Sequence, residues 1–390
     1  MLYQPAEDSY LIQKEVQHLA KGRVLEIGIG SGILSDTAAK LKRVKSVLGV
    51  DIKKEAVEHC RAEVKSKKCK FLVSDLFDKV PKQKFDTIIF NPPYLPEQEG
   101  ELWELQTDIS GGKQGYEIVD RFLSSVNDYL DDDGVVLLLF STLTGKAKVE
   151  EFIAHNMMEY DELSKLKIAW EQLFVYRIVK SRLRKMFEKK GVKGLSTFSR
   201  GHRGIIYTGK FKGKKIAIKV QRTDIDAKET VNNEVVQLKV LNKKGIGPKV
   251  LFSGKDYFAY TFVEGDFIFD YIDRKDVKKA DVLGVLTDVF EQMYLLDHLK
   301  LNKEEMHHPV KHIIVGKKNK PVLLDFERCR PRPKVHNVTQ FCQFVMSGRI
   351  LPHLKRHNLK ISMLDMMKYS KEYSKRRTRG NFEKILGLLK

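Results

Sequence analysis

Short uninterrupted apolar runs alternate with amphipathic stretches over the first 180 residues. Arg23–Gly28, Ser46–Asp51, Lys70–Ser74, Phe85–Phe90 and Val135–Phe140 each read as a strand apolar on both faces. Ile33–Leu41 and Lys54–Ser66 lie between them with helical spacing. Apolar strands separated by helices predict a parallel sheet covered on both sides. Two further runs, Leu166–Trp170 and Leu173–Val179, are close enough to end this half in a hairpin. The basic stretch Ser181–Gly191 then reads as a short helix or a linker, and the domain boundary is placed near residue 181. Beyond it come alternating, strand-like segments, Gly204–Phe211 and Lys215–Val220, then a helical stretch over Asn233–Lys243. The chain is mainly helical after Lys275. Strands first and helices later predict an α+β unit of two lobes, residues 185–265 and 266–390.

Composition narrows the classes. A chain of 390 residues is long enough for two cores. It has no run of about 18 uncharged apolar residues, so no membrane span is expected. The start, MLYQPAEDSY, lacks the basic and apolar blocks of a secretory leader. The four cysteines, Cys60, Cys69, Cys329 and Cys342, form no CxxC pair, so neither a zinc site nor a disulfide framework is expected, and a cytoplasmic location is. Charge divides the chain. Residues 1–180 hold 25 Lys and Arg against 29 Asp and Glu, whereas residues 181–390 hold 46 against 22. The basic half invites a polyanionic partner such as tRNA or ribosomal RNA.

The chemistry of the first half clusters at strand ends. Glu26-Ile-Gly28-Ile-Gly30-Ser-Gly32 lies where the first strand turns into a helix, and glycines there permit left-handed backbone and close approach of a ligand. The spacing is not the dinucleotide GxGxxG. Asp51 ends the second strand and Asp75 follows the third, at the edge where open α/β sheets bind ligands. Asp51 is placed to accept from ribose hydroxyls and Asp75 from an adenine amine, although either alone also fits a cap or a turn. Asn91-Pro92-Pro93-Tyr94 follows the fourth strand. Its prolines stiffen the backbone, which can aim the Asn91 side-chain oxygen and the Pro92 carbonyl at one planar NH2 group. Tyr94 supplies an aromatic face for stacking.

This combination resembles the class I S-adenosylmethionine-dependent methyltransferases that carry an NPPY motif, with a seven-stranded Rossmann-like domain over residues 1–180. The opening Tyr3-Gln-Pro-Ala-Glu-Asp8-Ser9 is similar to that of the short archaeal and eukaryotic HemK-type enzymes, which methylate the glutamine amide of a Gly-Gly-Gln motif in peptide release factors. The resemblance implies S-adenosylmethionine as donor, Glu26 near its amino group through backbone and water, Asp8 close to it, and a small zinc-ribbon activator subunit. The rival acceptors are a nucleic-acid base (adenine N6 or guanine N2), with the basic half as an RNA- or DNA-holding module, and a lysine amine.

In the second half, Ser199-Arg-Gly201-His-Arg-Gly204 precedes Ile216-Ala-Ile-Lys219-Val220, a glycine-rich hairpin followed by a strand lysine. This is the layout that covers and grips ATP phosphates in protein kinases. Lys219 would meet the phosphates, Glu234 or alternatively Glu229 would fix Lys219, and Asp325 of Asp325-Phe-Glu327 would hold Mg2+. The half resembles the small atypical kinases of the RIO and Bud type. Departures fall in the catalytic loop. His307 stands where the resemblance calls for an aspartate, His312 where it calls for a magnesium-binding asparagine, and Glu327 where it calls for a glycine. Two outcomes follow: a divergent kinase using Glu304 or Glu305, or a nucleotide-binding pseudokinase.

Overall fold

The computed structural model describes residues 4–94, 112–201, 204–221 and 230–389. The chain divides into two compact units, Met1–Thr197 and Phe198–Lys390.

The first unit is a seven-stranded sheet in the order β3-β2-β1-β4-β5-β7-β6. Its strands are β1 (Gly22–Ile27), β2 (Val44–Asp51), β3 (Cys69–Val73), β4 (Phe85–Phe90), β5 (Leu130–Ser141), β6 (Met158–Ile168) and β7 (Glu171–Lys180). β1 to β5 pair in parallel, whereas β7 pairs antiparallel with both β5 and β6. This is the Rossmann-like class I methyltransferase sheet. Both faces are covered, as the apolar runs require. Leu138 and Phe140 of β5 enter one core with Phe122 and Val126 of helix α4, whereas Leu137 and Leu139 enter the other with Ile12 and Val16 of helix α1. The helices of this unit are α1 (Glu7–Leu19), α2 (Ile33–Lys40), α3 (Lys54–Glu63), α4 (Glu117–Val126), α5 (Lys146–His155) and α6 (Arg182–Lys189).

Two sequence expectations shift, and one of two alternatives is met. Helix α3 stops at Glu63, short of Ser66. Trp170 leaves its strand and stands almost fully exposed in the two-residue turn between Ile168 and Glu171. The Ser181–Gly191 connector is a helix, capped by the Ser181 hydroxyl accepting from the Arg184 N–H.

That helix is held by a buried ionic knot. Arg184 donates to the carbonyls of Asn156 at 2.6 Å and Leu195 at 2.9 Å and pairs with Glu188 at 2.7 Å. The ammonium of Lys180, whose side chain is 1% exposed, meets the other Glu188 oxygen at 2.7 Å.

The second unit follows the order read from the sequence. A five-stranded sheet runs β11-β12-β10-β9-β8. It comprises β8 (Val192–Arg200), which carries the boundary between the units, β9 (Gly204–Phe211), β10 (Lys214–Gln221), β11 (Val250–Ser253) and β12 (Tyr257–Thr261). Helix α7 (Thr230–Asn242) connects β10 to β11 and begins three residues earlier than the apolar spacing indicated. One short strand and a short helix, β13 (Asp266–Phe267) and α8 (Ile268–Ile272), lead into the long helix α9 (Lys279–His298). Four more strands follow in two small sheets, β14 (Leu301–Asn302) with β17 (Arg330–Pro331), and β15 (Ile313–Val315) with β16 (Pro321–Leu323) and β13. The chain ends in α10 (Asn337–Val345), α11 (Leu351–Arg356), α12 (Met363–Lys375) and α13 (Arg379–Leu386). Buried Asp297 ties three of these helices together, accepting from Asn337 N–H and Nδ2 at 3.0 and 2.7 Å and from the Tyr373 hydroxyl at 3.0 Å. Among the described residues, no helix is long and apolar enough to cross a membrane.

Because Glu188 serves two buried cations, its removal leaves both short of a counter-charge. Glu188→Ala is expected to destabilise the chain by about 3 kcal/mol in urea unfolding. A loss below about 1 kcal/mol would show that the knot is not held by its charges.

Candidate functional site

The sheet order places β1 between β2 and β4, with the chain winding outward in both directions. Such a switch point opens a crevice at the strand C-termini. The residues singled out from the first half converge on it. Gly28, Gly30 and Gly32 take φ of 68°, 48° and 81°, the left-handed region that side chains avoid. A methyl group on Gly32 would sit 2.8 Å from the Cys60 sulfur, so the turn is closed from below as well. The Asp51 carboxylate braces this turn, accepting from the Gly30 N–H at 3.1 Å and the Lys53 N–H at 2.9 Å.

Glu26, 1% exposed, lies behind the turn and accepts from the Ser35 hydroxyl. Burial, with a smaller contribution from the Asp51 charge, pushes its carboxyl up to about 8. Asp75 is differently placed. It forms a part-exposed ion pair with Arg121 of α4 at 2.8 Å.

The NPPY segment meets the glycine turn directly: a methyl group on Gly28 would stand 3.8 Å from the Asn91 carbonyl oxygen. Asn91 Nδ2 donates to Asp8 Oδ2 at 2.8 Å. Asp8, in the first turn of α1, is itself buried, and Ser9 donates to its other oxygen at 3.4 Å. Asn91 Oδ1 is buried and has no hydrogen-bond partner among the described residues. An ionised carboxylate only accepts, so Asp8 fixes which way the amide faces and leaves its oxygen for something else. Pro92 is buried, and Tyr94 is half-buried against the α1 side of the core. Thr144 donates to the Tyr94 carbonyl at 3.5 Å. Burial, followed by Glu171, Asp8 and Glu7, raises the Tyr94 phenol above its usual range and keeps it protonated. The Asp8–Asn91 bond went unseen in the sequence. Its signal would have been the paired need of a buried carboxylate and a buried amide 83 residues apart.

These residues fit S-adenosylmethionine. The left-handed glycines leave room beside the backbone, and the buried Glu26 would gain a counter-charge from the donor's ammonium. The orphaned Asn91 oxygen faces the need of an NH2 group.

In the second unit, Lys219 on β10 meets Glu234 of α7 at 2.6 Å, Glu327 at 3.4 Å and Asp325 at 3.9 Å. Burial opposes the Lys219 charge, but Glu234, Asp325 and Glu327 outweigh it and hold the ammonium above its ordinary value. Glu234 accepts from the Phe326 N–H at 3.1 Å, and burial raises its carboxyl. Asp325 sits at φ 58°, a left-handed strain at a non-glycine residue. The Gly201 N–H donates to the Gly204 carbonyl at 2.9 Å, and Gly204 borders the Lys219 stem. Glu229 lies outside the described residues.

Glu327 was read from the sequence as a departure, yet its carboxylate joins those of Glu234 and Asp325 within 4.8 Å of one another, a set of oxygen donors suited to Mg2+. The two histidines that depart from the kinase pattern lie as follows. His307 is exposed and packs on the His308 ring at 4.6 Å. His312 Nδ1 lies 3.3 Å from the Lys303 ammonium, which takes its lone pair and leaves it unsuited to a metal ion. Lys303, fully buried, had no sequence signal beyond a basic residue among glutamates.

Comparison with known proteins bears on the first unit. The Methyltransferase small domain family matches residues 7–168. A putative protein N5-glutamine methyltransferase of Methanocaldococcus jannaschii is 40% identical over 178 residues, 45% of this chain and 89% of that protein. The methyltransferase HEMK2 of Homo sapiens is 30% identical over 35% of this chain and 71% of its own. The release factor glutamine methyltransferase of Streptococcus pneumoniae is 31% identical over 34% of this chain, which spans half the length of that enzyme. A solved Mtq2-Trm112 complex of E. cuniculi, described as acting in methylation of the eRF1 termination factor, aligns at a TM-score of 0.38 and 24% identity, over 46% of this chain and 99% of that one. Through its seven-stranded unit, the chain belongs to the HemK-type family of S-adenosylmethionine-dependent protein N5-glutamine methyltransferases.

Proposed function

We propose that the first unit methylates the glutamine side-chain amide of a Gly-Gly-Gln release factor, aided by a small zinc-ribbon activator subunit. The carrying observation is the buried Asn91 Oδ1, unpartnered among the described residues, on a residue whose backbone carbonyl borders the glycine turn. An amide nitrogen is a poor nucleophile because its lone pair is shared with the carbonyl. Asn91 Oδ1 and the Pro92 carbonyl accept the two amide hydrogens, orient the nitrogen and concentrate electron density on it. Asp8 keeps Asn91 from turning its own NH2 toward the substrate. Glu26 and the glycine turn hold the amino-acid end of the donor, and Asp51 braces that turn. The donor, when bound, supplies an electrophilic methyl group. The amide proton leaves to solvent after the new N–C bond has formed, so no base is required beforehand.

Asn91→Ala is expected to lower kcat at least about 100-fold with donor affinity changed less than about threefold. Asp8→Asn, which lets the Asn91 amide flip, should lower kcat about tenfold or more without loss of donor binding. Both are read by methyl transfer to a release factor in the presence of the activator, with donor titration alongside. Label that enters RNA or DNA and never a Gly-Gly-Gln substrate would overturn the assignment.

The Glu26 carboxyl has a second consequence. Its proton is held more tightly in the fold than in the unfolded chain, where the value is 4.5, and is released at about 8. Its stabilising contribution is therefore complete below pH 4.5 and lost as pH rises through 8. Pairing with the donor's ammonium requires the ionised form. Donor affinity should rise up to about tenfold per unit between pH 6 and 7.5, and Glu26→Gln should flatten that dependence in calorimetric titrations. A flat wild-type profile would remove Glu26 from the donor site.

For the second unit we propose a kinase-like site that binds ATP with Mg2+. The Lys219–Glu234 pair, the left-handed Asp325 and the glycine hairpin over the Lys219 stem support it. Asp325, with Glu327, would hold the ion. ATP with Mg2+ should raise the melting temperature of the wild-type chain, and Lys219→Met or Asp325→Asn should abolish that rise. If the wild-type chain showed none, the nucleotide assignment would fall.

A further inference from the structure

The cluster around Lys219 extends further than the residues that grip a nucleotide. The Lys303 ammonium donates to the backbone carbonyl of Asp325. On its other side it stands 3.3 Å from His312 Nδ1. An ammonium can only donate, so Nδ1 carries the lone pair and the His312 proton sits on Nε2. That Nε2 faces Glu305 Oε2 at 3.6 Å, longer than a hydrogen bond. Glu305 Oε1 is taken by Arg328. One carboxylate oxygen is thus anchored, and the other faces His312, whose ring links it to the Lys303 ammonium that holds the Asp325 carbonyl.

The turn that presents Glu305 is fixed from both ends. Helix α10 holds it at two points, Asn337 Oδ1 accepting from the Lys303 N–H at 2.7 Å and Gln340 Oε1 from the Met306 N–H at 3.1 Å. Just before it, β14 pairs with β17, the strand that follows Arg328. Between these anchors Glu305 is held at φ 71°, a left-handed strain that its surroundings must impose. Its side chain is 41% exposed, so a substrate hydroxyl can reach it, whereas the carboxylates of Glu234 and Glu327 are enclosed. Neighbouring Glu304 has no ion pair among the described residues, and His307 and His308 are exposed and pack on each other.

We propose that Glu305 is the carboxylate that takes the hydroxyl proton when the γ-phosphoryl group of a nucleoside triphosphate is transferred at this site. The proposal rests on the nucleotide assignment made above. The acceptor oxygen forms a bond to the γ-phosphorus, and the bond from that phosphorus to the β–γ bridging oxygen breaks. The nucleoside diphosphate departs, and the hydroxyl proton passes to Glu305 Oε2; nothing is oxidised or reduced. Arg328 keeps the carboxylate in place, and the neutral His312 limits its swing. A carboxylate that orients the hydroxyl and accepts its proton is the part that the His307 position lacks.

The test uses the full chain with ATP and Mg2+, measuring thermal stabilisation by nucleotide and release or self-transfer of labelled γ-phosphate. Glu305→Gln should lower turnover about 100-fold or more while nucleotide stabilisation stays within about threefold in half-saturating concentration. Glu305→Asp should recover part of the turnover, which a merely structural role for the side chain would not give. Glu304→Gln should stay within about twofold of wild type. Full turnover in Glu305→Gln, or an equal loss in Glu304→Gln, would overturn the proposal. Wild-type binding of ATP without any γ-phosphate release would also overturn it, and would leave the nucleotide assignment standing. Absence of wild-type ATP binding would overturn both.

Discussion

The first unit turns on one hydrogen bond, from Asn91 Nδ2 to Asp8 Oδ2. It joins the first turn of α1 to the loop after β4, and it decides the orientation of an amide whose other end is buried without a partner. Leaving a buried carbonyl-type oxygen unmatched costs about 1–3 kcal/mol. A fold keeps such a cost where a ligand group removes it. Here the arrangement is cooperative: the buried Asp8 has its charge balanced in part by the amide hydrogens, and the amide has its choice of face made by the charge. Neither residue alone would specify an acceptor site. The Asn91 backbone carbonyl also borders the glycine turn, so on the proposed reading the amide oxygen would serve an acceptor next to the donor's cradle.

What could be read from the sequence was what repeats or stands at a strand end. The parallel strands were legible because they are apolar on both faces, and Asp51 and Asn91 were legible as positions because the crevice of such a sheet lies at those ends. Their partners were not legible. Asp75 is met by Arg121, 46 residues away, and Glu26 by Ser35 across the turn into α2. A side-chain pair across helices leaves no period in the sequence. Trp170 was drawn into a strand by its apolar neighbours, whereas a two-residue turn needs a left-handed residue, and Ala169 takes that role at φ 39°.

The basic surplus of the second half also looks different once its partners are known. Of the run Lys371–Arg379, Arg379 forms a bidentate pair with Glu291, both contacts at 2.7 Å, and also meets Glu383. Arg377 donates to the Val335 carbonyl. These arginines fasten the terminal helices to α9 and to the segment before α10. Charge that appears as an open basic tail in one dimension is in part spent on internal contacts. A nucleic-acid surface, the partner that the net charge invites, would have to draw on other lysines.

The two candidate sites face opposite electrostatic problems. A sulfonium donor with an ammonium group is cationic, so buried carboxylates such as Glu26 suit it. A nucleotide is anionic, and on the proposed assignment the second cluster would offer it Lys219, and Lys303 whose charge burial opposes, against Glu234, Asp325 and Glu327, at least one carboxylate too many. Such an excess repels phosphate. A divalent cation on the carboxylate oxygens reverses the sign of that balance, since two positive charges turn a surplus of one negative into a surplus of one positive. If the second unit binds nucleotide as proposed, Glu327, where the kinase resemblance calls for a glycine, would make the site more dependent on a metal ion, because without one the phosphates would meet three carboxylates and two amines.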